Sequence, residues 1–235
     1  MKSNHEVSLL FDEKASSWNS KYAPNGPLTF RVSVFSELLA ACVKPGAVIL
    51  DLGGGTGAIS GALARLGFHM TVCDVSEQMI KAGKQLQSDK PIEWRLLPDD
   101  WKRLPFADET FDAIIASSVF EYVTDPDQVL SECRRVLRSS GKLLFSVPNP
   151  DHRSRQYESR LQPMAAFALK LPLVRAIPKV GNYLRYLHVS RARFSAAQWR
   201  ERASRYGLRP VEINLPQAQP GGHQAMLYLA FARPV

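Results

Sequence analysis

Apolar residues along this chain follow two rhythms, helical spacing and short continuous runs, and the two alternate. Residues Val7 to Tyr22 read as an amphipathic helix that ends in the turn Pro24-Asn25-Gly26-Pro27. Leu28 to Val43 carries apolar positions at helical spacing and is stopped by Pro45-Gly46. Ala47 to Leu52 is then a short buried strand that opens into glycines. Ala58 to Leu66 is a helix closed by Gly67, and Met70 to Cys73 is a second strand ending on Asp74. Ser76 caps a helix running to about Leu86. Strands follow at Ile92 to Leu96, Phe111 to Ser117 and Lys142 to Val147, with a helix at Pro126 to Leu137 between the last two. Beyond Pro148 the pattern is irregular until a helix at Ala196 to Tyr206. Strands at Val211 to Leu215 and Met226 to Phe231 close the chain, joined by a Pro/Gly loop without a helix.

This order predicts an α/β fold, a Rossmann-like, doubly wound, seven-stranded and mostly parallel sheet. The last two strands, having no crossover helix, should form an antiparallel hairpin at the sheet edge. One domain accounts for residues 1–235, with lid helices in 1–45 and a cap inserted after the fifth strand in 151–195.

Composition adds exclusions. The cysteines Cys42, Cys73 and Cys133 are scattered, which argues against a disulfide framework and a zinc site and fits a reducing cytoplasm. The first thirty residues lack the apolar core of a signal peptide. The run Pro163 to Ile177 is broken by Lys170, Pro172 and Arg175, too short for a spanning helix of about 20 residues. The formal net charge is +8 and is unevenly placed: Asp151 to Arg209 holds thirteen Lys or Arg against three acids.

In open α/β sheets, ligands bind beyond the carboxyl ends of the strands. Gly53, Gly55 and Gly57 follow the first strand and precede a helix, a turn that lets a ligand lie against backbone and exposed N–H groups. Gly53-x-Gly55-x-x-Ala58, with Asp74 about 20 residues on, also satisfies the dinucleotide fingerprint. Three features favour S-adenosylmethionine over NAD. Asp51, at the strand end, would repel a pyrophosphate but suits an ammonium group. Asp99-Asp100-Trp101 offers an acceptor and an aromatic face to an adenine. The terminal hairpin is not required by dehydrogenases.

Asp51-Leu52-Gly53-Gly54-Gly55-Thr56-Gly57 resembles the DxGxGxG motif of class I S-adenosylmethionine-dependent methyltransferases. Asp74-Val75-Ser76-Glu77-Gln78-Met79 is similar to their DxSxxM segment. Leu104 to Asp112 is similar to the LPFxDxxFD stretch of the small-molecule subfamily, which includes quinone, biotin-pathway and natural-product enzymes. The Phe11-Asp12…Ala15…Trp18…Tyr22 opening resembles that subfamily's lid helix. The resemblance spans about Phe11 to Pro148 and implies S-adenosyl-L-methionine as cofactor. It implies Gly53, Gly55 and Gly57 along the methionine and ribose, and Asp74 on the ribose. Val75 and Met79 would lie beside the adenine, Asp100 would accept from its amino group, and Trp101 would flank it. It also places Ser117 at the methionyl end, Arg31 on the cofactor carboxylate and Tyr22, with Trp18, over the site.

Catalytic groups are less defined, because an activated methyl group mainly needs alignment with its acceptor. Relatives place Glu-His after the fourth strand, whereas this chain has Glu121-Tyr122. His152, just beyond the fifth strand, is the leading base candidate, with His188 second, and Tyr122 is a candidate hydrogen-bond donor. The basic segment predicts a cap over the acceptor pocket. It suits a small anionic or amphipathic acceptor, or contact of residues 151–209 with a membrane surface or an acidic carrier protein. Ser117-Ser118-Val119-Phe120 is unlike the motif of base-amino methyltransferases, which argues against nucleic acid. Methyl transfer to oxygen, nitrogen or carbon leads. A nicotinamide-dependent oxidoreductase and a non-catalytic adenosylmethionine-fold partner protein stay as alternatives.

Overall fold

A computed structural model describes residues 5–171, 174, 177–213 and 225–235. In chain order the elements are α1 (His5–Trp18), a 3-10 turn (Asn19–Tyr22), α2 (Thr29–Cys42), β1 (Val48–Leu52), α3 (Ala58–Arg65), β2 (His69–Asp74), α4 (Glu77–Leu86), β3 (Ile92–Leu96) and β4 (Phe111–Ser117). There follow α5 (Pro126–Val136), β5 (Leu137–Pro148), α6 (Arg153–Ala168), α7 (Pro178–Val189), α8 (Ala196–Arg205), β6 (Arg209–Val211) and β7 (Met226–Ala232).

The strands form one sheet in the order β3-β2-β1-β4-β5-β7-β6. The first five are parallel, and β7 runs antiparallel to both β5 and β6. Successive residues of a central strand face opposite layers, and helices cover both. Ile49, Ala113 and Ile115 meet Phe35, Leu39 and Leu63 from α2 and α3. Leu50, Ile114 and Phe145 meet Leu130 and Cys133 of α5 and Trp199 of α8. Both faces of the central strands are covered, so those strands read as largely apolar runs. Strand order reverses between β1 and β4, which places the ligand crevice at their carboxyl ends.

Caps fix several helix starts. Ser76 Oγ accepts from Met79 N at 3.1 Å, and Asp125 Oδ1 accepts from Asp127 and Gln128 N, both at 3.1 Å. Ser195 and Gln198 form a capping box on α8.

The structure departs from expectation in four places. The first helix stops at Trp18 and tightens into a 3-10 turn. Leu137, expected to end a helix, begins β5 instead, because its fully buried side chain joins the core and its backbone pairs with Phe111. The irregular stretch after Pro148 contains helices α6 and α7. Strand β6 starts at Arg209, two residues before the expected Val211. Its expected end, with the loop to β7, lies outside the described residues.

Trp94 of β3 illustrates how close packing selects glycine. A Cβ on Gly57 would lie 2.6 Å from the ring, and one on Gly83 would lie 2.3 Å from it. Gly83→Ala should therefore destabilise the fold by about 1–3 kcal/mol. Alanine in an unobstructed helix would instead gain about 1 kcal/mol. A chemical-denaturation midpoint at or above wild type would refute the packing account.

Candidate active site

A cavity of about 380 Å³ lies over the carboxyl ends of β1, β2 and β4, within the usual range for a ligand site. Its floor is the glycine turn. Gly53 and Gly55 have φ of +65° and +58°, and a Cβ on Gly53 would stand 2.6 Å from the Val119 side chain. Left-handed backbone and lack of room together require glycine there. The turn is tied to β2: Gly53 N donates to Cys73 O at 2.7 Å, and Gly55 N donates to Asp74 Oδ2 at 2.9 Å. Ser76 N holds the other carboxylate oxygen of Asp74 at 2.9 Å. Asp51 accepts from Ser60 Oγ at 2.6 Å.

These carboxyls are perturbed by their surroundings. Burial pushes Asp51 up to about 7, against the Ser60 hydrogen bond and with help from the nearby Asp74. Burial likewise raises Asp74 to about 6, opposed by the N–H groups of Ser76, Gly55 and Val75.

The opposite wall comes from α1, the 3-10 turn and α2. Phe11, Lys14 and Trp18 of α1 face the cavity, as do Lys21 and Tyr22 of the 3-10 turn and Arg31 of α2. Asp12 Oδ1 accepts from Ser76 Oγ at 2.6 Å and from Gln78 N at 3.1 Å, fastening α1 to the start of α4. Glu13–Arg185 (2.7 Å) and Glu6–Arg191 (3.1 Å) join it to the segment after β5. Arg31 Nη1 donates to Ser117 Oγ at 3.3 Å, while its buried Nε has no hydrogen-bond partner. Burial lowers Lys14 to about 8, helped by repulsion from Lys21 and Arg185.

The third wall comes from the β4–α5 loop and the helices that follow β5. Ser118 takes a left-handed φ of +57°, a strained conformation for serine at the ligand end of a strand. Glu121 is 3% exposed, and its Oε2 has no hydrogen-bond partner. Burial raises this carboxyl to about 7, opposed by Arg31, its own backbone N–H, Arg155 and Arg193. Tyr122 sits edge-on to Phe11 at 5.3 Å and to Tyr186 at 6.4 Å between ring centroids. Burial, then Glu121 and Tyr186, push its phenol well above the ordinary value. Arg155 of α6 and Tyr186 of α7 complete this wall. Arg155 donates to both oxygens of Glu158 (2.8 and 3.0 Å) and to Tyr186 Oη (2.9 Å).

Of the residues singled out in the sequence, Asp51, Gly53, Gly55, Asp74, Val75, Met79, Trp101, Ser117, Arg31, Tyr22 and Tyr122 all line this one cavity. Gly57, Asp100 and His152 are not in its wall. Gly57 is spent on the approach of Trp94. Asp100 is exposed beside Trp101. His152 occupies the N-cap position of α6 without a side-chain cap bond, its Nδ1 2.8 Å from Ser154 Oγ, and His188 lies 3.5 Å from Glu6. Sequence reasoning missed Glu121 as a cavity group because it weighed only the absent histidine. It also missed Arg155 and Tyr186, whose helices it did not foresee. The Arg155–Glu158 spacing was the available signal.

Among the described residues, no helix is long and apolar enough to cross a membrane. A family described as "Methyltransferase domain" matches residues 50–145. The chain is 33% identical over 173 residues to a demethylmenaquinone methyltransferase of Clavibacter sepedonicus, covering 71% of this chain and 69% of that one. It is 33% identical to the ubiquinone/menaquinone biosynthesis C-methyltransferase UbiE of Shewanella halifaxensis (strain HAW-EB4), covering 62% of this chain but only 56% of the relative. The magnesium protoporphyrin IX methyltransferase of Synechocystis PCC 6803, solved with bound SAH, superposes with a TM-score of 0.70 at 15% identity. That match covers 97% of this chain and 98% of the other, and it shows a shared fold. Neither the nicotinamide nor the non-catalytic alternative is favoured by these likenesses. The glycine turn with its two acidic neighbours and the sequence relatives together show that this chain belongs to the class I S-adenosylmethionine-dependent methyltransferases that act on small molecules.

Proposed function

We propose that the chain methylates a hydroxyl-bearing small aromatic of the quinol type, with Glu121 taking the acceptor's proton. The observation that carries this reading is the partnerless, buried Glu121 Oε2 in the wall shared with the glycine turn. The kinship to quinone-pathway methyltransferases supports the acceptor class.

The cavity suits the cofactor. Gly53 and Gly55 give it open backbone, Asp74 keeps lone pairs for ribose hydroxyls, and Val75, Met79 and Trp101 offer an apolar slot to the base. The unpaired Arg31 Nε awaits a carboxylate, with Ser117 and Asp51 nearby for the amino-acid end and Tyr22 above. Gly57 and Asp100 stand outside this set, since neither lines the cavity. When bound, S-adenosylmethionine supplies a methyl group already activated by its sulfonium charge.

The residues then align the acceptor and manage its proton. Glu121, poised near neutrality, accepts the hydroxyl proton, and the resulting electron density serves attack by oxygen or by the adjacent ring carbon. Tyr122, held as the neutral phenol, donates a hydrogen bond to the acceptor. Arg155 offers positive charge to the oxyanion. His152 is replaced in the base role because its ring is engaged outside the cavity.

Asp74→Ala tests the cofactor half. Adenosylhomocysteine binding by calorimetry should weaken by roughly 1–3 kcal/mol, the value of lost hydrogen bonds to a charged group. An unchanged Kd would remove Asp74 from the ribose.

A further inference from the structure

Helix α6 carries its apolar stripe on the outside. Tyr157, Met164 and Phe167 are 61%, 66% and 69% exposed, and with Arg160 they fall on one helical face. The opposite face buries Glu158 and Ala165. Leu171 continues the stripe, and Ile177 and Val180 add to it at the start of α7. The two helices pack antiparallel, since Tyr186 near the end of α7 meets Arg155 near the start of α6. Seven of the twelve exposed large apolar side chains among the described residues sit on this hairpin and its flanks, more than single scattered surface residues would give.

Charge identifies the occupant. From Ser159 to Arg200 the chain has no Asp or Glu. Arg185, Arg191 and Arg193 are matched by Glu13, Glu6 and Glu158. Arg160, Lys170 and Lys179 are exposed and make no ion pair among the described residues. A second copy would bring like charges together. Aromatic and aliphatic side chains interleaved with cations on an outward helical face match an element that lies in a bilayer interface.

We propose that the outer face of the α6–α7 hairpin docks on an anionic lipid bilayer. The inner face of the same helices supplies Arg155 and Tyr186 to the cavity, so docking holds the site about one helix diameter, roughly 10 Å, from the lipid. Delivery of a lipophilic acceptor by this route rests on the methyltransferase reading; the docking itself does not.

The test is co-sedimentation of the full chain with phosphatidylcholine vesicles, with and without phosphatidylglycerol. Binding should be at least about tenfold stronger to the anionic vesicles and should fall with added salt. M164S/F167S and R160E/K179E should each weaken it about tenfold or more. Both should keep the wild-type melting temperature and adenosylhomocysteine affinity, which shows that they fold. Equal binding to both vesicle types, or variants that bind like wild type, would overturn the proposal. So would a dimer that M164S/F167S dissolves, or an acidic protein bound in place of lipid. Loss of adenosylhomocysteine binding by the wild-type chain would instead strike the methyltransferase reading and leave the vesicle result standing.

Discussion

Glu121→Gln should lose methyl transfer by about 10²- to 10⁴-fold, the usual share of a general base, while melting at a higher temperature than wild type at about pH 8. The two effects share one cause. Burial raises the Glu121 carboxyl to about 7 from the ordinary carboxylate range. Between roughly pH 4.5 and 7 the folded chain thus binds more protons than the unfolded one, so stability falls as pH rises through that window. Above about pH 7 the full cost of burying the charge applies, on the order of 1–3 kcal/mol. Glutamine keeps the shape without the charge. Its advantage should be near zero below about pH 4 and largest near pH 8, where Tm rises by about 5 °C.

The kinetic counterpart is a profile in which wild-type kcat/KM rises with pH to a plateau above about 7, because the base must be ionised. The assay offers a small aromatic diol, the acceptor class proposed above, as the test substrate. Adenosylhomocysteine affinity should stay within about twofold, separating loss of the base from loss of the cofactor. Turnover equal to wild type would remove Glu121 from the chemistry. A lower Tm at pH 8 would show that its charge is compensated in the fold.

Glu158→Ala should give the largest loss of stability. Glu158 is 7% exposed and accepts from Arg155, from Arg193 Nη1 at 3.0 Å and from Tyr186 Oη at 3.2 Å. Removing it leaves two guanidinium groups without their shared counter-charge in a half-dry site, a change worth about 3–5 kcal/mol. For a domain of this size that corresponds to roughly 10 °C in Tm. Arg155 would lose its anchor too, so acceptor KM should rise while cofactor affinity is kept. A Tm within about 2 °C of wild type, measured by calorimetry, would show that the cluster is solvated and contributes little.

The sheet and the cavity residues around the glycine turn were legible because their signals are local. A strand buried on both faces is an unbroken apolar run, as at Val48 to Leu50. A turn that needs left-handed backbone announces itself by glycine, as at Gly53 and Gly55. Asp51 and Asp74 stand at strand ends and Trp101 follows β3 by five residues, so placing the strands placed them. The helical segment after β5 was illegible for an equally physical reason. Amphipathic reading assumes that apolar residues face inward, whereas α6 turns Met164 and Phe167 to solvent and Glu158 to the interior.

The sequence by itself determined the order of strands and helices from β1 to β5, the glycine turn and the two acidic residues beside it, since each depends on a few neighbouring residues. Only the tertiary structure decided that Gly57 serves Trp94, that His152 stays outside the cavity, and that Glu121 meets Arg155 and Tyr186 there. Those outcomes join segments up to 65 positions apart, from Glu121 to Tyr186. Burial and the proximity of charge, which set the chemistry of Glu121, exist only once the chain has folded.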